Sequence, residues 1–146
     1  MTPPLVGVEL GHPGDDPRGW LAEATAYEEA GVDSLWIGAG AHDPWVLLGA
    51  LAAVTWRVRL GTPPGPAPGP AAATVQLLGR GRLVDDGARW VRVEPPPGRP
   101  AWAEALAAAA AAGHAGVVVP AAPGLLDLLR NPEAEDDRSD LQLTYG

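Results

Sequence analysis

His12, His42 and His114 are the side chains of this 146-residue chain whose ordinary proton affinity lies near neutral pH. His12 and His42 are therefore candidate catalytic groups, as proton donors or as hydrogen-bond partners to a bound ring or substrate, and Glu9 is the candidate carboxylate that orients them. Each has a bland reading beside the chemical one. His42 is also an ordinary loop residue, and Glu9 also reads as a solvated charge on a sheet face. Asp43 precedes Pro44, the pairing expected of an N-cap and the first residue of a helix. His114 follows Gly113 where a helix ends, and the partial negative charge there favours an imidazolium, so capping is its expected role.

Other chemistries are excluded by what is missing. There is no cysteine, hence no thiolate nucleophile, thiolate metal site or disulfide. HExxH, GxSxG, P-loop and GxGxxG patterns are absent, and three isolated histidines make no zinc signature. A net charge of −8 without a basic stripe argues against a nucleic-acid partner. No apolar run reaches the roughly 18 residues of a membrane helix, so no membrane partner is expected and the chain reads as soluble and cytoplasmic. All ten basic residues are Arg, and Phe is absent; a GC-rich bacterial genome accounts for that bias.

The elements that must position these residues are signalled twice in the same way. An apolar run at 5–10 reads as a strand; Asp16-Pro17 starts a helix whose Trp20, Leu21, Ala24 and Tyr27 share one face, and Gly31 stops it. A second strand at 33–38 precedes the Asp43-Pro44 helix, for which Val46, Leu47, Leu51 and Val54 are the expected apolar stripe. A third strand at 58–62 leads through a proline-rich loop to a helix near 70–79 and a short strand at 82–84. Farther on, 89–95 alternates Trp90, Arg92 and Glu94 against Val91 and Val93, a helix opens at Arg99-Pro100, 116–120 reads as a buried strand, and 125–130 as a last helical turn or two. One domain spans 1–146, with 131–140 an acidic solvated segment and Leu141, Leu143 and Tyr145 alternating as a short edge strand.

The stretches EAGVDSLWIGAGAHDPWVLLGALAAVTWRVRLGT (29–62) and PAAATVQLLGRGRLV (70–84) resemble the luciferase-like flavin monooxygenases and coenzyme F420-dependent oxidoreductases. The order of a Trp-bearing strand, a His/Asp loop, a DP-capped alanine-rich helix and a strand ending in RLGT carries the resemblance, rather than any one motif. It implies FMN or F420 as cofactor and an unknown small molecule as substrate. Thr62, Pro63, Trp36 and Trp45 become candidate cofactor-binding residues; the resemblance suggests an unusual cis peptide at Thr62-Pro63, where proline makes cis less costly, beside the alternative of an extended proline-rich loop with every bond trans, which the base rate of cis X-Pro favours. The chain departs from the family in length, which implies loss of the later strands whose loops hold the flavin phosphate, and in DDGARW, where aspartates stand in place of a glycine-rich stretch.

Strand–helix alternation means an α/β fold with parallel strands and right-handed crossovers. An eight-fold barrel needs about 200 residues or more. The expected architecture is thus a shortened or incomplete TIM-like (β/α) barrel with peripheral helices, or an open sheet. Loops after successive strands then open on one face and bring His12, His42 and Thr62 together. Two functions follow: a flavin- or F420-dependent oxidoreductase, or a non-catalytic barrel remnant that covers its open edges as a homodimer or with another partner.

Overall fold

The computed structural model describes residues 2–65, 69–85 and 89–133. The acidic segment beyond Glu133, the 141–145 alternation and the centre of the DDGARW stretch lie outside the described residues. In chain order the elements are β1 (Leu5–Leu10), α1 (Pro17–Glu29), β2 (Ser34–Ile37), α2 (Pro44–Val54), β3 (Arg59–Thr62), α3 (Gly69–Leu78), β4 (Leu83–Asp85), β5 (Trp90–Arg92), α4 (Arg99–Ala111), β6 (Gly116–Pro120) and α5 (Leu125–Arg130).

The two Asp-Pro signals act as local chemistry requires. Asp16 accepts a hydrogen bond from the Gly19 amide at 2.9 Å, Asp43 one from the Trp45 amide at 2.9 Å, and each is followed by a proline in the first turn. Gly31 and Gly113, at φ of 90° and 80°, take the left-handed conformation just beyond α1 and α4, where a side chain would be strained.

All strand pairings are parallel, in the order β4-β3-β2-β1-β6-β5. This is the order of a closed ring of staves with those between β4 and β5 left out. β6 pairs with β1 as the last strand of a complete barrel does, so the ring is interrupted between β4 and β5. Only four residues separate Asp85 from Trp90, and five peptide links reach at most about 18 Å. The outer strands must therefore curl toward each other, giving an incomplete TIM-like barrel rather than a flat sheet.

Period-two alternation divides the strands between two faces. Val8, Leu10, Leu35, Leu60, Val117 and Val119 point outward into one apolar layer with Trp20, Ala24 and Tyr27 of α1, Leu48 and Leu51 of α2, Val75 of α3, Trp102 of α4, and Leu125 and Leu128 of α5. The α2 stripe differs from expectation: Val46 is exposed, while Trp45 and Leu48 are buried. At 100° per residue, 45, 48 and 52 fall together with 47 and 51, which rotates Val46 out to solvent.

Candidate active site

The concave face is filled rather than hollow. Trp36, on the inward side of β2, is only 2% exposed; its indole Nε1 donates to Ser34 Oγ at 2.9 Å, and its ring meets Trp90 edge-on at a centroid distance of 5.5 Å. It lies across the two neighbouring strands. A methyl group on Gly7 of β1 or on Gly61 of β3 would overlap its ring, so those glycines make the space for it. Arg92 of β5 sits 5.9 Å above Trp36 and forms an ion pair with Glu9 of β1, reaching past β6 to do so. Glu9 is thus on the inner face toward the C-terminal end of β1, and it is paired.

At that end, the junctions after β1 and β2 are clasped. The His12 and His42 rings stack at 5.6 Å with planes 18° apart. The His42 backbone amide donates to His12 Nδ1 at 3.2 Å, which leaves His12 Nε2 to carry the proton and donate it to the Gly38 carbonyl at 2.8 Å. Gly38 is also the neighbour of the Glu9 carboxylate, since a methyl group there would stand 3.2 Å from Glu9 Oε1. Glu9, Gly38, His12 and His42 therefore form one contiguous group at the mouth, with Trp36 and Arg92 beneath. Trp20, the first buried residue of α1, fixes the β1 junction by donating its indole N–H to the Gly11 carbonyl at 2.6 Å.

The remaining sequence candidates are placed differently. Thr62 follows inward-facing Gly61 and donates its hydroxyl to the Val84 carbonyl of β4 at 3.4 Å, a bond along the sheet rather than into the mouth. No peptide bond is cis among the described residues: Thr62-Pro63 is trans, the alternative that base rates favoured, and the cis bulge suggested by the resemblance is absent. Trp45 belongs to the helix-side apolar layer. His114 donates its backbone N–H to the Ala109 carbonyl at 3.0 Å beyond the end of α4. Arg92 was not singled out as a site residue; its signal was the alternation at 89–95, which puts it on the same face as Trp90, but nothing local says which carboxylate it meets.

A second concavity lies where the loops after β5 and β6 come together. Residues of 95–99 and 122–125, with Leu128, enclose a cavity of about 170 Å³ beside the start of α4. Its N-cap is Gly98, and no side chain caps the first turn. Arg99 is held there by the Asn131 carbonyl at 2.7 Å and by Asp127 at 3.2 Å.

A family model described as luciferase-like monooxygenase matches residues 1–84, from before β1 to within β4. That span takes in the junctions bearing His12, His42 and Thr62. No curated protein and no solved structure matches the chain. With more than half its length matched, and with strands ordered as in a barrel, the chain belongs to the luciferase-like monooxygenase family.

Proposed function

We propose that this chain is a shortened luciferase-like oxidoreductase, working in the cytoplasm on a small substrate with FMN or F420 bound at the mouth. The observation that carries the reading is the clasp of His12 and His42 beside Glu9. The donors at hand suit such a group: two near-parallel imidazole planes, an exposed His42 side chain, and, past β5 and β6, the uncapped first turn of α4. In barrels of this kind the loops after the last two strands and a helix N-terminus commonly take a phosphate. The cavity of about 170 Å³ there suits an anionic tail, being well below the size of ordinary ligand sites.

The bound flavin or deazaflavin would supply hydride or electron transfer. The chain's own residues would position and protonate. His42 presents its imidazole to solvent and to the substrate side and is the proton donor. His12, with both ring nitrogens engaged, holds the loop bearing His42 in place. Glu9, paired with Arg92, orients the group from below. Trp36 forms the floor, Thr62-Pro63 the rim after β3, and Trp45 anchors the start of α2 next to His42.

Titration of the purified protein with FMN and with F420, followed by the ligand's fluorescence, tests this directly. Saturable micromolar binding of one of them is expected, and His42→Ala should lower turnover by on the order of 10²-fold with unchanged melting temperature. If neither ligand binds, the oxidoreductase reading fails.

A second reading is favoured by one observation. Leu77 and Leu78 of α3 are 73% and 45% exposed beside the outer strand β4, where a complete barrel would continue. A remnant that works by homodimerisation would cover them. Light scattering should then show a dimer that Leu77→Glu converts to a monomer.

A further inference from the structure

We propose that residues 39–42 form a strap at the mouth that is latched by neutral His12 and released by acid. The latch follows from which atoms can donate. A backbone amide only donates and a carbonyl only accepts, so the His42 amide at 3.2 Å from Nδ1 and the Gly38 carbonyl at 2.8 Å from Nε2 admit one form of His12: neutral, with its proton on Nε2. The opposite tautomer fails at both atoms. The imidazolium fails at one, because a proton on Nδ1 sets a donor against the His42 N–H.

Little else restrains the strap. Gly38 is tied to β1 by its amide, which donates to the Leu10 carbonyl at 2.9 Å, and Asp43 is fixed by its cap on Trp45 at 2.9 Å. Between them residues 39–42 are exposed, and the bond from the His42 amide is the one hydrogen bond they make among the described residues. Gly40 lies so close against the His12 ring that an added methyl group would overlap it, and the His42 ring stacks on it as well. The packing of the strap and its hydrogen bond thus end on a single titratable side chain.

The charged groups around His12 are few. Glu9 is near through Gly38 and is paired with Arg92 of β5, Asp43 follows His42 on the strap, and Asp15, Asp16 and Arg18 follow His12 in its own junction. Residues 116–126, which place β6 and its loop beside β1, carry no charge. In acid a second proton on the stacked His42 ring adds repulsion to the lost bond. Imidazoles change charge between about pH 5 and 8, which is the interval for release. That the strap borders a working site rests on the reading above, whereas the latch rests on the two bonds of His12.

Heteronuclear NMR of the ligand-free full chain, titrated from about pH 8 to about pH 5, tests the latch without FMN or F420, so its failure is separate from failure of the oxidoreductase reading. At the upper end the His12 ring should be the Nε2–H tautomer. As the pH falls, the backbone amide resonance of residue 42 should shift with the same midpoint as the His12 ring. His42→Ala removes the neighbouring ring but keeps the amide, and the shared midpoint should persist. His12→Asn puts an amide oxygen that does not titrate near the place of Nδ1, and the residue 42 amide should then stay level across the interval. The Nδ1–H tautomer at the upper end, an amide in His42→Ala that does not track His12, or one in His12→Asn that still shifts overturns the proposal.

Discussion

Glu28, the penultimate residue of α1, carries more of the fold than its composition class suggests. Its Oε2 accepts from the backbone amides of Trp56, Arg57 and Val58 at 2.8, 2.7 and 2.9 Å, so one carboxylate satisfies the turn that enters β3. Burial raises its proton affinity, but the three amide bonds and the nearby Arg57 charge outweigh that and hold it below its ordinary value of 4.5. A carboxyl whose folded value is depressed stabilises the protein above its unfolded value and loses that contribution as pH falls through the folded one. Glu28→Ala removes the acceptor from all three amides and should cost about 2–4 kcal/mol; Glu28→Gln keeps an acceptor without the charge and should cost about 1–2 kcal/mol. Urea denaturation at neutral pH measures both, and the gap between Gln and wild type should narrow below pH 4.5. Tyr27, beside it, has the opposite sign. Burial, with the Glu23 charge adding to it, pushes the phenol from 10.0 up to about 12. Its stabilising contribution is complete below pH 10 and is lost as pH rises toward 12, so Tyr27→Phe should flatten the alkaline fall in melting temperature over that interval.

Among the elements, β2 is set by what its neighbours lack. Trp36 occupies the concave face only because β1 and β3 offer glycine on either side of it, so Gly61→Ala or Gly7→Ala forces the indole or the strands to shift. Each should destabilise by about 1–3 kcal/mol. Gly14→Ala, in a loop where an added methyl group meets nothing within 4 Å, should be close to neutral in the same denaturation experiment. Such glycines also show where sequence reading stops. Asp16-Pro17 and Asp43-Pro44 were legible because a cap is satisfied within three residues of itself. Period-two alternation likewise placed Glu9 opposite Val8 and Leu10, and strand–helix alternation gave the class of fold. Val46 was misplaced because α2 is apolar nearly all round, which leaves no contrast from which to read its buried face. The pairing of Glu9 with Arg92 spans 83 positions and that of Glu28 with Val58 spans 30; both depend on strand order, which no local pattern encodes. That His12 and His42 lie near each other followed from the expectation that successive junctions share a face, whereas the stacking of their rings and the hydrogen bonds of His12 did not.

For the whole molecule, the question is whether the matched portion, residues 1–84, is itself a folding unit. The sheet answers against it. β1 lies between β2 and β6, with register pairs from Leu5↔Gly116 to Glu9↔Pro120, so cutting the chain after residue 84 exposes a full edge of β1, one of the two central strands. It also strips Trp102, Val117, Val119, Leu125 and Leu128 from the apolar layer. Five such side chains at about 1.5–3 kcal/mol each amount to roughly 7–15 kcal/mol, as large as the entire stability of an ordinary domain. A fragment of residues 1–84 should therefore show no cooperative thermal transition by circular dichroism, and mixing it with a fragment of residues 85–146 should restore one. Cooperative unfolding of the first fragment alone would mean that β5, β6 and their helices are an appendage to the barrel. Restoration on mixing would mean that β6 closes onto β1 as a stave of the same barrel, with the family's portion and the remainder sharing one core.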